Sequence, residues 1–265
     1  NLFVVTILGS LVSLQQAPAS QALSHDIIKS TEDWVRSEME SSGNDASHDW
    51  NHVTRVRSLA LKIANAEGLD SGAKHIVELS ALLHDVKDYK YSGSDVAGPE
   101  AARAFLAAQG VTEEVVTKVV DVVSRVSYKK ELALLSSQSS TAGMGATGVT
   151  SPPTPFQPSE ISKELACVQD ADRLDAIGAI GIARCFTFGG ARGRPIYDPE
   201  HPPRPGLTAE EYALRSGSTV NHFHEKLLRL RGLMKTDTGR KLADERHAFM
   251  ESFLEQLGRE LDALN

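Results

Sequence analysis

The stretch Leu79-Ser80-Ala81-Leu82-Leu83-His84-Asp85-Val86-Lys87-Asp88 decides the fold class. With Ile76 just before it, the apolar residues Leu79, Leu83 and Val86 recur at the spacing of one helical face, not at the alternation of a strand. The reading is a helix over residues 71–88. The neighbouring segments follow the same period. Ile27, Ile28, Val35 and Met39 make one stripe, ended by Ser41-Ser42-Gly43-Asn44. Val56, Leu59 and Ile63 make another over residues 47–66, closed by Gly68. Pro99 suits the first turn of a helix that runs to Ala108, and Thr112-Glu113-Glu114 starts one that reaches about Tyr128. Helical spacing resumes at Glu160 and continues to Phe186, then over residues 208–235 and 237–263. No segment reads as a hairpin or a βαβ unit, so the expectation is an all-α helical bundle in a single domain, residues 23–265.

Two stretches interrupt it. Residues 136–159 are rich in Ser, Thr, Gly and Pro and bury too little apolar area to offset ordering entropy, so they are expected to be a disordered insertion. Residues 189–206 are rich in Pro, Gly and Arg and are expected to form an irregular loop. Residues 1–22 are set outside the fold. Their apolar stretch Phe3 to Leu14 and Ala17-Pro18-Ala19 have the look of a secretory leader but lack its basic start.

Composition narrows the class. The 265 residues carry 28 Lys+Arg against 35 Asp+Glu, a formal net charge of −7, which disfavours a general nucleic-acid or anionic-membrane binder. Apolar residues make up 41%, enough for a sizeable core. The two cysteines, Cys167 and Cys185, make no disulfide scaffold and point to a reducing compartment, cytoplasmic or nuclear. No run reaches the length of a membrane span.

Three His-Asp pairs occur, and only His84-Asp85 is embedded in an apolar helix. Adjacent helical residues lie about 100° apart, so an imidazole and a carboxylate can converge over the groove between them. His52 lies on the stripe of Val56, Leu59 and Ile63, which makes it either a ligand or a core histidine bonded to a carbonyl. On a helical wheel Asp172 falls at the centre of the stripe Leu165, Val168, Ala176, Ala179 and Ala183, an expensive place for a carboxylate unless it is paired or metal-bound. Asp170 falls on the far side, as a surface ion pair would, and Asp175 flanks the stripe. Asp88 falls between His84 and Asp85 one turn on, where it can orient an attacking water. Cations suited to phosphate surround these positions: Arg55, Lys87, Lys90 and Arg173, with His48 one turn before His52. Arg192, Arg194 and Arg204 read as solvated linker charges or a lid, and Lys226 and Arg246 as further phosphate contacts.

The motifs His52-Val53-Thr54-Arg55-Val56, Leu82-Leu83-His84-Asp85-Val86 and Ala171-Asp172-Arg173-Leu174-Asp175-Ala176, in that order, resemble the HD superfamily of metal-dependent phosphohydrolases. The likeness covers residues 24–188 and is nearest to a bacterial-type subfamily of nucleotide pyrophosphohydrolases. It implies His52, His84, Asp85 and Asp172 as ligands of one divalent ion, Mn²⁺ in that subfamily, with Mg²⁺, Co²⁺, Ni²⁺ or Fe²⁺ as alternatives. It also implies Asp88 as the acidic residue that handles the water, and conversion of a (d)NTP to (d)NMP plus pyrophosphate. A 5′-nucleotidase or other phosphomonoesterase of the same fold, and a non-catalytic metal or nucleotide sensor, stay open at this level. A di-iron oxygenase would need a further ligand where Val86 stands.

Overall fold

The computed structural model describes residues 19–41, 47–131, 161–204 and 217–262. The insertion 136–159, residues 1–18 and the start of the expected helix 208–235 lie outside that range. Ten α-helices follow in chain order among the described residues: α1 (Ala19–Ser41), α2 (Trp50–Ala66), α3 (Ser71–Leu83), α4 (Tyr89–Ser92), α5 (Ala97–Ala108), α6 (Glu113–Arg125), α7 (Lys163–Asp175), α8 (Gly178–Ala191), α9 (Asn221–Glu225) and α10 (Asp237–Asp262). A 3-10 helix, Leu227–Leu233, joins the last two. No strand occurs among the described residues. No single described helix is long and apolar enough to cross a membrane, and of the bent pair α7 and α8 the first is mostly buried in the core.

Two apolar cores meet on α2 and α3. Val56 and Ile63 of α2 and Ala81 of α3 face Leu165, Val168 and Leu174 of α7, Phe223 of α9, Leu230 and Met250. Val53 of α2 and Leu79 and Leu82 of α3 face Val35 of α1, Leu106 of α5 and Val119 of α6. The Leu, Ile, Met and Phe side chains among these cost about 2–5 kcal/mol each to truncate, so α2 and α3 are held from both sides. The site grows where α2, α3 and α7 cross.

Several boundaries differ from expectation, each for a local reason. The helix through His84 stops at Leu83. The His84 ring donates from Nδ1 to the Ala81 carbonyl at 2.8 Å, and residues 84–87 turn, with Lys87 in the left-handed region at φ 51°. Asp88 therefore does not sit one helical turn after His84, where the apolar spacing predicts it. Asp88 instead opens α4, its carbonyl accepting the Ser92 amide at 2.9 Å. The expected helix 160–186 is two helices inclined by 69°, broken at Ala176-Ile177 with Gly178 at φ 72°. The described part of 208–235 is not one helix either, because the backbone at Lys226 leaves the helical region (φ −137°) and a 3-10 turn follows.

Asp170 is the clearest correction. It is no surface ion pair but fully buried, and its carboxylate accepts the amides of Lys235 (2.9 Å) and Thr236 (2.8 Å) and the Thr236 hydroxyl (2.7 Å). Burial pushes its pKa above the ordinary carboxylate value even so. It thereby fixes the entry to α10, where the first amides of a helix need acceptors. Gly239 sits against it. A Cβ there would stand 2.3 Å from Asp170 Oδ2 and 2.8 Å from Thr236 Oγ1. Gly239→Ala is expected to lower stability by about 2 kcal/mol in urea unfolding, because the carboxylate must yield and lose bonds while buried. A wild-type midpoint would show that this junction is soft.

Candidate metal centre and its cavity

His52 enters from the first turn of α2, which Asp49 caps by accepting the His52 amide at 3.0 Å. His84 and Asp85 come from the turn after α3, and Asp172 from α7. Four groups converge. His52 Nε2 lies 3.3 Å from His84 Nε2, 3.3 Å from Asp85 Oδ2 and 3.6 Å from Asp172 Oδ1. His84 Nε2 lies 3.6 Å from Asp85 Oδ1 and 3.9 Å from Asp172 Oδ1. His52, His84 and Asp85 by themselves bring one donor atom each within 4.8 Å of one another, a group able to hold a metal ion.

The hydrogen bonds behind the rings show what this group wants. His84 Nδ1 faces the Ala81 carbonyl, which can only accept, so that nitrogen carries the hydrogen. His52 Nδ1 is 2.7 Å from Asp175 Oδ2, again an acceptor. In the neutral rings both Nε2 atoms are then lone pairs, assigned here from their partners. Two lone pairs and two carboxylates thus point at one spot, and none of the four supplies a donor there. A positive charge at that spot, a proton on His52 Nε2 or a metal ion, relieves that arrangement. The acid-base balance of His52 agrees: burial disfavours its charged form, but the bonds to Asp175 and Asp85 outweigh burial and raise its pKa above 6.5. The residues present therefore fit a divalent ion with two imidazole and two carboxylate ligands.

Asp175, which the wheel left at the flank of the stripe, orients the centre from behind. Besides His52 it accepts Arg55 Nε at 2.7 Å and Arg55 Nη2 at 3.0 Å, and Arg184 Nη1 lies 3.1 Å away. Burial raises its pKa, yet the His52 and Arg55 bonds prevail and hold it well below the ordinary carboxylate range. A carboxylate on the far nitrogen of a ligating imidazole fixes its tautomer and ring plane. Arg184 also donates to the Ser47 carbonyl (2.7 Å) and the Asp175 carbonyl (3.2 Å), tying α8 to the start of α2. A wheel drawn on one helix carries no trace of these partners from α2 and α8.

A cavity of about 490 Å³ opens over the four groups. Of the expected residues, His48, Lys87, Asp88 and Arg173 line it with the ligands. His48 stands edge-on to His52 with ring centroids 5.9 Å apart, and its Nδ1 is 2.6 Å from Ser47 Oγ. Arg55 does not line the cavity, since its fork is given to Asp175. The side chain of Lys90 lies outside the described residues. Asp172 is 30% exposed at the cavity, less buried than a place at the centre of an apolar stripe implies.

Reading the sequence missed Lys129, Lys130, Tyr128 and Arg184 in the cavity wall, and it placed Arg192 and Arg194 mainly in a solvated linker. Both arginines line the cavity and lie over the Phe188 ring, at 5.2 and 5.7 Å from its centroid. Their loop is anchored by amides of Thr219 and Val220 donating to the carbonyls of Pro195 (2.8 Å) and Ile196 (3.0 Å). Arg246 is spent on the Leu174 carbonyl, whereas Lys226 does reach the cavity.

Residues 49–177 match the family model described as HD domain, a span that takes in all four converging groups. Bacillus subtilis YpgQ is 36% identical over 234 residues, 88% of this chain and 92% of that one. The chain belongs to the HD-domain family. Among solved structures, this HD-domain protein is similar to one from Lactobacillus plantarum, with TM-score 0.70, 32% identity, and 89% and 97% of the two chains covered. It is also similar to an HD-superfamily hydrolase from Bacillus thuringiensis, with TM-score 0.62, 34% identity, and 91% and 99% coverage. YpgQ in complex with ADP aligns with TM-score 0.61 and 31% identity, over 90% and 96% of the chains. The fold is that of the HD-superfamily hydrolases.

Proposed function

We propose that the protein is a divalent-metal-dependent phosphohydrolase acting on nucleotides, and that it converts a (d)NTP to (d)NMP and pyrophosphate. The observation that carries this is the meeting of two imidazole lone pairs and two carboxylates at one point beneath a cavity whose wall also holds Lys87, Lys129, Lys130, Arg192 and Arg194. A cation-requiring spot inside a cation-lined cavity suits an anionic substrate that shares the metal. The ADP complex of YpgQ supports a nucleotide as that substrate.

His52, His84, Asp85 and Asp172 are the proposed ligands, and Mn²⁺ is the proposed ion. When bound, it supplies Lewis-acid charge neutralisation at a phosphoryl group and a lowered pKa for water. Asp88 lines the cavity two turn residues beyond Val86 and is the proposed group that orients the attacking water and accepts its proton. Water then bonds to the α-phosphorus as the bond to the bridging oxygen breaks, and pyrophosphate departs. Lys87 and His48 are proposed to contact the substrate, and Arg55 to act through Asp175.

Products of a panel of nucleoside tri-, di- and monophosphates, separated by ion exchange after incubation with Mn²⁺, test the reading. Monophosphate plus pyrophosphate is the expected outcome. Asp88→Asn is expected to lower kcat by about 10²–10⁴-fold, the usual worth of a positioned proton acceptor, with Mn²⁺ still bound. Nucleoside plus phosphate from monophosphates would make the protein a nucleotidase. Tight Mn²⁺ binding with no turnover of any nucleotide would make it a sensor or an enzyme for another phosphate ester.

A further inference from the structure

Arg173 follows Asp172 on α7 and lines the same cavity, yet it is only 2% exposed. Its Nη2 donates to Glu131 Oε2 at 2.5 Å, and Glu131 Oε1 accepts Lys235 Nζ at 2.6 Å. One carboxylate thus serves two buried cations. The strain falls on Lys235, whose pKa is pushed down to about 8 by burial, with the Arg173 charge as the next cause. The other nearby carboxylate, Asp170, is given to the start of α10. Arg173 Nε and Nη1 are buried and make no hydrogen bond to any described residue. A guanidinium keeps its charge and needs acceptors for its N–H groups. Two buried guanidinium nitrogens of a cavity-lining residue, on a group held by its third nitrogen, have no acceptor among the described residues.

We propose that Arg173, positioned by Glu131, takes an oxygen of a polyphosphate chain, one phosphate beyond the group at the four metal ligands. Asp172 and Arg173 leave α7 about 100° apart, which suits neighbouring phosphates better than one shared phosphate. Nη1 stands on the Cδ side of the guanidinium and the Nε–H on the opposite edge, so each offers a single charge-assisted bond, and one of them is given to the phosphate oxygen. Within the pyrophosphohydrolase reading, on which the identity of the ligand rests, this phosphate belongs to the leaving pyrophosphate. Glu131 is then a positioning residue, since among the described residues its carboxylate bonds Arg173 and Lys235.

Titration calorimetry on the Mn²⁺-loaded full chain tests this without turnover, with inorganic pyrophosphate and inorganic phosphate as probes. Arg173→Gln is expected to weaken pyrophosphate by about tenfold or more, the worth of a charge-assisted bond, and to change Mn²⁺ and inorganic phosphate by less than about twofold. Glu131→Gln is expected to weaken pyrophosphate by a smaller factor, because Arg173 keeps its charge but loses its anchor. Should Arg173→Gln fail to fold because Glu131 loses one of its two partners, the double variant Arg173→Gln/Glu131→Gln removes both members of that pair and gives the same readout. Wild-type pyrophosphate affinity in either folded variant would overturn the proposal. Arg173-dependent pyrophosphate binding in a protein that hydrolyses no nucleotide would sink the nucleotide reading and leave this anion site standing. Nucleotide hydrolysis with pyrophosphate affinity indifferent to Arg173 would do the reverse.

Discussion

Replacing Asp172 or His84 with alanine is expected to lower kcat/KM by about 10³-fold or more, equivalent to about 4 kcal/mol of transition-state stabilisation. The two substitutions reach that loss by different routes. Asp172 is 30% exposed at the cavity and holds no part of the core, so its truncation removes a carboxylate ligand with little cost to folding. His84 is buried at the end of α3 and bonded to the Ala81 carbonyl, so its removal also frees a helix-terminal acceptor. A thermal melt beside the kinetics separates the parts. Asp172→Ala should melt within a few degrees of wild type and be inactive, while His84→Ala should be inactive and also less stable. An active Asp172→Ala protein would remove α7 from the metal centre.

The second large effect concerns a residue that touches no substrate. Asp175→Ala is expected to cost about 2–3 kcal/mol of stability, because it leaves the half-buried Arg55 and the more deeply buried Arg184 without their shared carboxylate. Asp175→Asn keeps the shape and loses the charge. It is expected to retain the fold and to weaken Mn²⁺ by about 10- to 100-fold, the usual range for a carboxylate behind a ligating imidazole. The pH dependence has a definite sign. The Asp175 carboxyl has a folded pKa below its unfolded value near 3.9. Its contribution is fully present above about pH 4 and is lost as the pH falls through the folded value. Acid unfolding of Asp175→Asn should therefore be shallower than that of wild type. Equal Mn²⁺ affinity in Asp175→Asn and wild type would show that the His52 tautomer does not depend on this carboxylate.

The all-α class and the positions of most helices are legible in the sequence because they follow from apolar spacing, which is local. Breaks are less legible. The helix through His84 ends where a ring bonds back to Ala81 and Lys87 turns left-handed, and nothing in the period of Leu79, Leu83 and Val86 foretells that. The four converging groups were legible because each was odd in its own setting: histidines and a carboxylate on apolar stripes. Asp170 and Asp175 were misjudged for one physical reason. α7 is buried on nearly all sides, so a wheel with one apolar stripe describes it poorly, and polar residues on its other faces meet partners from α2, α8 and the start of α10. The wheel sees one helix, and those partners lie on others. The same holds for Arg173 and Glu131, which are 42 residues apart in sequence and joined only by the fold. Arg55 shows the opposite error. It neighbours His52 as a phosphate contact should, but its fork turns to Asp175.

Mn²⁺ titration followed by electron paramagnetic resonance of the free ion tests the central claim most directly, on wild type and on the single alanine variants of His52, His84, Asp85 and Asp172. One tight site in wild type, lost or weakened by at least about 100-fold in each variant that still folds, is the predicted result. Tight binding retained by any two of those variants would contradict the assignment of this point of convergence as the metal centre.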